Sequence, residues 1–312
     1  MISYHFNETD NIKKYLIELE AIKIVFDKAK ILPQYEEKIR RESILKSSIY
    51  SAKIEGITVD HQNETKIEIT NLVKAYNYVY LSNLPQSLSI DLIRHLHSLS
   101  MANISSQAGK FRQESWAIFD QSGNIFHLAP PFFEVPKLID EYLQYLQSLD
   151  CHSVIKSAIA QFIFEKIHPF ADGNGRTGRL ISAYLLRQNN YHLCGILPFE
   201  EYTDNHRQLY YYALEPSADM TEFIEYFIKS LVKTGQKILP QLDHPTTTTS
   251  LLPRRQEILD IITDHPNCSF NFLARRFSGV NVKTLHYDLK KLIDQSLITK
   301  LGITRGALYN RS

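Results

Sequence analysis

From Asp10 to about residue 238, apolar residues recur at intervals of three and four in eight stretches, near 10–30, 35–56, 64–81, 88–103, 134–149, 152–167, 176–189 and 219–238. That spacing gives each segment an apolar stripe and predicts a mainly α-helical body. One segment departs from it. Trp116–Leu128, W-A-I-F-D-Q-S-G-N-I-F-H-L, sets two β-prone runs around a Ser-Gly-Asn turn and predicts a hairpin, which Pro130 and Pro131 then stop. Between Pro240 and Leu252 a polar Thr/Ser run with Pro245 loses all periodicity and reads as a linker. The expected organisation is an N-terminal helical region over 1–105, a core over 106–239, a linker over 240–252 and a small domain over 253–312. No repeat of fixed period is present, which argues against a solenoid.

Composition adds little until it is divided by region. A chain of 312 residues with 44% hydrophobic content can bury a core and carries a prior of two domains. Its apolar runs fall short of the roughly 18 residues of a membrane span. The polar, acidic stretch Met1–Asp10 is unlike a secretory leader, so no membrane association and a cytoplasmic location are expected. Cys151, Cys194 and Cys268 are far apart and in no C-x-x-C pair, which gives neither a disulfide framework nor a zinc site. The net charge of +1 conceals an asymmetry: residues 251–312 hold ten Lys or Arg against five Asp or Glu, leaving the rest mildly acidic.

The chemistry concentrates in His168–Arg179, H-P-F-A-D-G-N-G-R-T-G-R, between two helical stretches. Gly173, Gly175 and Gly178 let backbone N–H groups approach an anion, and the following helix directs its unpaired N–H groups and positive dipole end to the same place. Arg176 and Arg179 add guanidinium groups and Asn174 an amide donor, a set suited to polyphosphate. Asp172 beside these groups makes sense if Mg2+ bridges carboxylate and phosphate oxygens. His168, at the C-terminal end of the preceding helix, is the candidate general base. Taken singly, a terminal His is often a cap and Gly-Asn-Gly often a turn. A turn, however, does not need all of these groups within twelve residues.

The stretch fills every defined position of H-x-F-x-[D/E]-G-N-G-R-x-x-R and resembles the signature of the Fic family. The resemblance implies a Fic-type helical bundle with a β-hairpin flap and a protein adenylyltransferase that moves AMP from ATP to a hydroxyl side chain of a target protein. It implies that His168 deprotonates the hydroxyl, Asp172 binds Mg2+, Gly173, Asn174, Gly175 and Arg176 hold the α and β phosphates, and Arg179 engages the γ phosphate. Thr177 and Gly178 complete the nucleotide-binding stretch. The related Doc toxins carry lysine at the position of Gly175 and phosphorylate, so Gly175 favours AMP transfer. G-K-F-R from Gly109, with the hairpin and Pro130 and Pro131, is similar to the region preceding the signature in Fic proteins, and implies that the target docks on 116–128. Tyr211 is a candidate wall for adenine, with core packing the alternative for the tyrosines at 202 and 210–212.

Nearer the N-terminus, Ser51, Glu55 and Gly56 match the inhibitory pattern [S/T]-x-x-x-E-[G/N] of the same family. Gly56 suits a helix C-cap, which puts Glu55 in the last turn, facing the negative end of the dipole and in want of a cation. The resemblance implies that this cation is Arg179 and that the pairing holds the enzyme weakly active. In some relatives the glutamate also supports removal of AMP.

Residues 254–312 read as three short helices followed by Leu297–Tyr309 with Gly302 and Gly306, and resemble a winged helix-turn-helix. Lys283, Thr284, His286, Tyr287 and Lys290 fall on or near the exposed side of its recognition helix and are candidates for DNA contact; such domains also serve as protein-docking or dimer modules. The expected partners are ATP, a target protein, DNA and a second copy of the chain. A rival reading makes the body a nucleotide sensor controlling DNA binding in a transcription regulator with little turnover.

Overall fold

The computed structural model describes residues 4–29, 31, 33–57, 63–119, 125–191, 193–215, 218–242, 251–277, 279–302 and 307–311. The turn at 122–124, most of the expected linker and Gly306 lie outside them. The chain divides into two compact units, Met1–Asp243 and His244–Ser312.

Among its described residues, the regular structure of the first unit is helical except for one strand pair. Helix α1 (Asp10–Lys28) is capped by Thr9, whose side chain accepts from the Ile12 N–H, and packs along α10 (Thr221–Leu242). Helix α2 (Pro33–Ile54) lies against α3 (Asn63–Leu81) and α8 (Phe199–Asn205). Helix α4 (Ile90–Ser100) starts at its Ser89 cap. After the pair β1 (Ala117–Phe119) and β2 (Ile125–Leu128) come α5 (Val135–Ser148), α6 (Ser153–Ile167), α7 (Asn174–Gln188) and α9 (Arg207–Ala213). The centre is α6, which is apolar almost all round and buried from Val154 to Phe164 except at Lys156. A helix of that kind is stable only when surrounded, and α5, α7 and α10 surround it. Strands β1 and β2 pair antiparallel, Ala117 opposite Leu128, with a register shift between Ile118 and Phe119.

The second unit holds α11 (Pro253–Asp264), β3 (Cys268–Ser269), α12 (Phe270–Arg276), α13 (Val282–Asp294), β4 (Ile298–Leu301) and β5 (Leu308–Arg311). Its three-stranded sheet has the order β3-β5-β4, antiparallel throughout. Ile258, Ile262, Leu273, Leu285, Leu289, Leu292 and Ile298 form its core.

Several boundaries differ from the sequence expectation. The stretch 88–103 is helical only over Ile90–Ser100, because the capping serine delays its start. Helix α10 runs through Pro240 to Leu242, beyond the expected linker start. That proline lacks the N–H that would close on the carbonyl of Gln236, so one ladder bond is lost there. The short helices α8 and α9 were not expected, since neither is long enough to display a period. Among the described residues no helix is long and apolar enough to cross a membrane.

Candidate active site where α6 turns into α7

His168 ends α6 in a left-handed conformation (φ 49°), and its N–H still closes on the Phe164 carbonyl. Its backbone is fixed from the other side by Arg112, the arginine of G-K-F-R. Arg112 Nε donates to the His168 carbonyl (2.8 Å), Nη1 donates to the Glu114 carbonyl (2.9 Å) and Nη2 to the Pro130 carbonyl. One buried guanidinium therefore ties the histidine to the chain entering β1 and the chain leaving β2. The His168 ring is stacked by Trp116, centroids 3.6 Å apart.

The next residues form a tight turn. Asn174 Oδ1 accepts from the Phe170 N–H (2.9 Å) and its Nδ2 donates to the Phe170 carbonyl (2.8 Å). Its amide oxygen and one amide N–H therefore close the loop. His97 supports the turn from beneath. The Gly109 N–H donates to Nδ1 (2.8 Å), which fixes the tautomer, so Nε2–H donates to the Asp172 carbonyl (2.9 Å). The ring lies flat on Phe170 at 3.6 Å, and burial lowers it to about 4, so it stays neutral. No local motif marks His97; only the fold joins it to Gly109 and Asp172.

Gly173 (φ 79°) caps α7, and a Cβ there would stand 2.7 Å from Met101 Sδ, so both conformation and space call for glycine. Helix α7 begins at Asn174, earlier than expected, which places Gly175 in its first turn and Gly178 in the next. Gly178 lets α7 approach α6: its missing Cβ would meet Glu165 Oε1 at 3.0 Å. Thr177 is buried and its hydroxyl bonds back to the Gly173 carbonyl (2.9 Å). Gly178 and Thr177 thus serve packing rather than the nucleotide contact expected of them.

The two arginines diverge, because residues three apart on α7 meet different neighbours here. Arg176 is buried with both Asp172 oxygens at 3.1 Å from its Nη2 and Glu68 at 3.7 Å from Nη1. Asp172 itself is largely exposed (64%) and also accepts from the Gly173 N–H. Arg179, 1% exposed, turns the other way: Nε donates to Ser51 Oγ (2.9 Å), and Nη2 to the Ser51 carbonyl (3.0 Å) and Glu55 Oε1 (2.8 Å). Burial by itself would lower the guanidinium, but Glu55, then Tyr210 and Tyr76, hold it above its ordinary range.

Glu55 stands just past α2, not in its last turn. The Gly56 N–H bonds to the Lys53 carbonyl (2.8 Å) and the Ile57 N–H to the Ala52 carbonyl (3.3 Å), with Gly56 at φ 82°. This Schellman closure makes Glu55 the capping residue. An added Cβ at Gly175 would lie 2.2 Å from Glu55 Oε1, so the carboxylate occupies the space that the glycine leaves. Further up α2, Ser47 Oγ donates to the buried Glu200 (2.7 Å), which also accepts from Tyr76 OH (2.5 Å).

Glu55, His168, Asp172, Gly173, Asn174 and Gly175 line one cleft of about 540 Å3, with Trp116 and Tyr210–Tyr212 also in its wall. Tyr211 is part of that wall, and its hydroxyl also donates to the Ile54 carbonyl (2.8 Å), an orphan of the α2 terminus. The arrangement offers a ring nitrogen, an exposed carboxylate and a helix N-terminus to one occupant.

In the second unit, Lys283, His286, Tyr287 and Lys290 are exposed on α13 and Thr284 is half-buried. His286 stacks on Phe270 at 4.0 Å, and Tyr287 lies under Arg255 and Lys291. Arg254 and Arg255 both donate to the buried Asp288 (2.6 and 2.8 Å), so part of the segment's positive charge is spent on its own fold.

Comparison with known proteins agrees with this site. Residues 87–186 match the family described as Fic/DOC. The chain is 28% identical over 214 residues, 66% of its own length, to "Protein adenylyltransferase Fic" of Drosophila grimshawi, and 27% identical over 178 residues, 56% of its length, to "Protein adenylyltransferase fic-1" of Caenorhabditis elegans. It spans 39% and 33% of those proteins. A crystal structure of a Fic family protein from Desulfovibrio desulfuricans G20 shares the fold over 100% of this chain and 98% of that one, with a TM-score of 0.67 at 24% identity. The turn built on His168, Asp172 and Arg179 lies inside the segment that matches the Fic domain described as Fic/DOC.

Proposed function

We propose that the chain is an auto-inhibited protein adenylyltransferase that uses ATP to place AMP on a hydroxyl side chain of a target protein. The observation that carries the reading is the convergence of His168, Asp172 and the α7 N-terminus on one cleft. Names of relatives support it. The backbone N–H groups of α7's first turn and its dipole receive the phosphates. His168, braced by Arg112 and Trp116, takes the proton from the target hydroxyl. The hydroxyl oxygen forms a bond to the α phosphorus as the bond from that phosphorus to the bridging α–β oxygen breaks, and pyrophosphate leaves.

Asp172 suits Mg2+ because it is an exposed hard-oxygen donor lining the cleft. Among the described residues no cluster of three metal-ligating side chains occurs, which fits a metal shared with substrate phosphates rather than caged by protein. When bound, Mg2+ would offset phosphate charge. The β1–β2 pair would act as a flap that takes a target segment as an added strand. Glu55 is the brake, occupying Arg179 and the space above Gly175, where the γ phosphate has to settle. The second unit, read as a winged helix, would contact DNA or a protein through Lys283, Tyr287 and Lys290.

Transfer of α-phosphate-labelled ATP to protein by wild type, Glu55→Gly, and Glu55→Gly with His168→Ala tests the reading. Strong labelling by the single variant and none by the double variant is expected. A silent Glu55→Gly that still binds ATP would sink the enzyme reading and favour the nucleotide sensor.

A further inference from the structure

The polar groups lining the cleft are nearly all engaged. Glu55 holds Arg179, Asp172 holds Arg176, Lys166 Nζ donates to the Leu214 carbonyl, the Tyr210 hydroxyl accepts from Gln161 and the Tyr211 hydroxyl donates to Ile54. Of the described groups lining the cleft, the one buried side-chain polar atom without a hydrogen-bond partner is Glu165 Oε1. A buried unpaired acceptor or donor costs about 1–3 kcal/mol, which an occupant that pairs with it recovers. We propose that Glu165 is a phosphate-contacting residue of this cleft, donating a hydrogen bond to the polyphosphate of the bound nucleotide.

Its place favours phosphate over base. Glu165 Oε1 stands 3.0 Å from the missing Cβ of Gly178, on the α7 face where Gly175 lies one turn away. Arg179 Nη1, also buried without a hydrogen-bond partner, stands 3.2 Å from the missing Cβ of Gly175. Phosphate oxygens are all acceptors, so an anion seated over Gly175 at the start of α7 meets donors at both places. The charge state fits as well. Burial, reinforced by Glu55 from the end of α2, pushes the carboxyl up to about 8 against the opposing pull of Arg179 on α7 and Lys166 beside it. Tyr210 of α9, also raised by burial, stays protonated. Near neutrality Glu165 is therefore an acid that can donate, whereas its carboxylate would repel phosphate. This inference rests on the nucleotide reading of the cleft.

The test is binding of Mg2+-ATP and of tripolyphosphate to the full chain between pH 6.5 and 9.5, for wild type, Glu165→Gln and Glu165→Ala, with thermal unfolding to verify folding. Wild-type affinity for both ligands is expected to fall about tenfold as pH rises through about 8. Glu165→Gln, which keeps a donor, should bind like wild type at pH 7 with a flat profile. Glu165→Ala should bind both about tenfold more weakly at pH 7. If Glu165→Ala binds ATP as wild type does, or loses ATP but not tripolyphosphate, the phosphate contact is wrong while the nucleotide reading stands. If folded wild type binds no ATP at any pH, both fall together.

Discussion

Arg179 meets Glu55 at 2.8 Å across 124 positions of chain, joining the cap of α2 to α7, the helix that follows the His168–Gly173 turn. A fully buried pair broken on one side costs about 3–5 kcal/mol. Glu55 is partly exposed and Ser51 continues to serve the guanidinium, so Glu55→Gly is expected to cost about 1–3 kcal/mol in urea unfolding. The same variant should raise labelling from ATP by about tenfold or more. Loss of stability without a gain in labelling would leave the pair structural.

Tyr211 links the wall of the cleft to the end of α2. Its bond to the Ile54 carbonyl, worth about 1 kcal/mol, holds the α2 terminus in register. Tyr211→Phe keeps the ring and loses the bond, so basal labelling should rise about fivefold. In a Glu55→Gly background the same substitution should change nothing, and additive gains in the double variant would refute the link.

Arg112 should matter to transfer more than to nucleotide binding. Its three bonds set the His168 backbone and both ends of the strand pair, none of which touches the α7 N-terminus. Arg112→Lys, which cannot reproduce the fork, is expected to reduce transfer at least about tenfold and ATP affinity by less than about twofold. Equal losses in both would move Arg112 into the nucleotide site.

Stability should have two opposed pH branches. His97 is held down to about 4 by burial, so its neutral form contributes fully above its ordinary 6.5 and the contribution is lost as pH falls towards 4. Glu165 is raised to about 8, so its contribution is full below 4.5 and lost as pH rises through 8. Urea midpoints between pH 4 and 9 should show both slopes. His97→Gln should flatten the acid branch and Glu165→Gln the alkaline one; a variant that shifts the whole curve without flattening its branch would refute the assignment.

The order of helices and the His168–Arg179 turn were legible because periodicity and a dense local motif are both short-range signals. The expected partner of Arg179 also appears, since Gly56 announced the end of α2. What escaped is what depends on distant contacts. Asn174, Thr177 and Gly178 resembled ligand groups because their chemistry is indistinguishable in sequence from loop closure and helix packing. His97, Arg112 and Glu165 gained their importance only when α4, the pre-hairpin segment and α6 came together around one turn. Asp288 likewise claims two arginines that a count of charges credits to nucleic acid.

Ser47 and Ser51 on α2 and Glu55 at its cap stand four residues apart, and Glu200 and Arg179 receive them in turn. The helix thereby works as a ruler whose zero is the buried Glu200 and whose last mark is the Gly56 closure. One inserted residue turns everything beyond it by about 100° and carries the carboxylate off its target, so the pairing of Glu55 with Arg179 is encoded in a length more than in a composition.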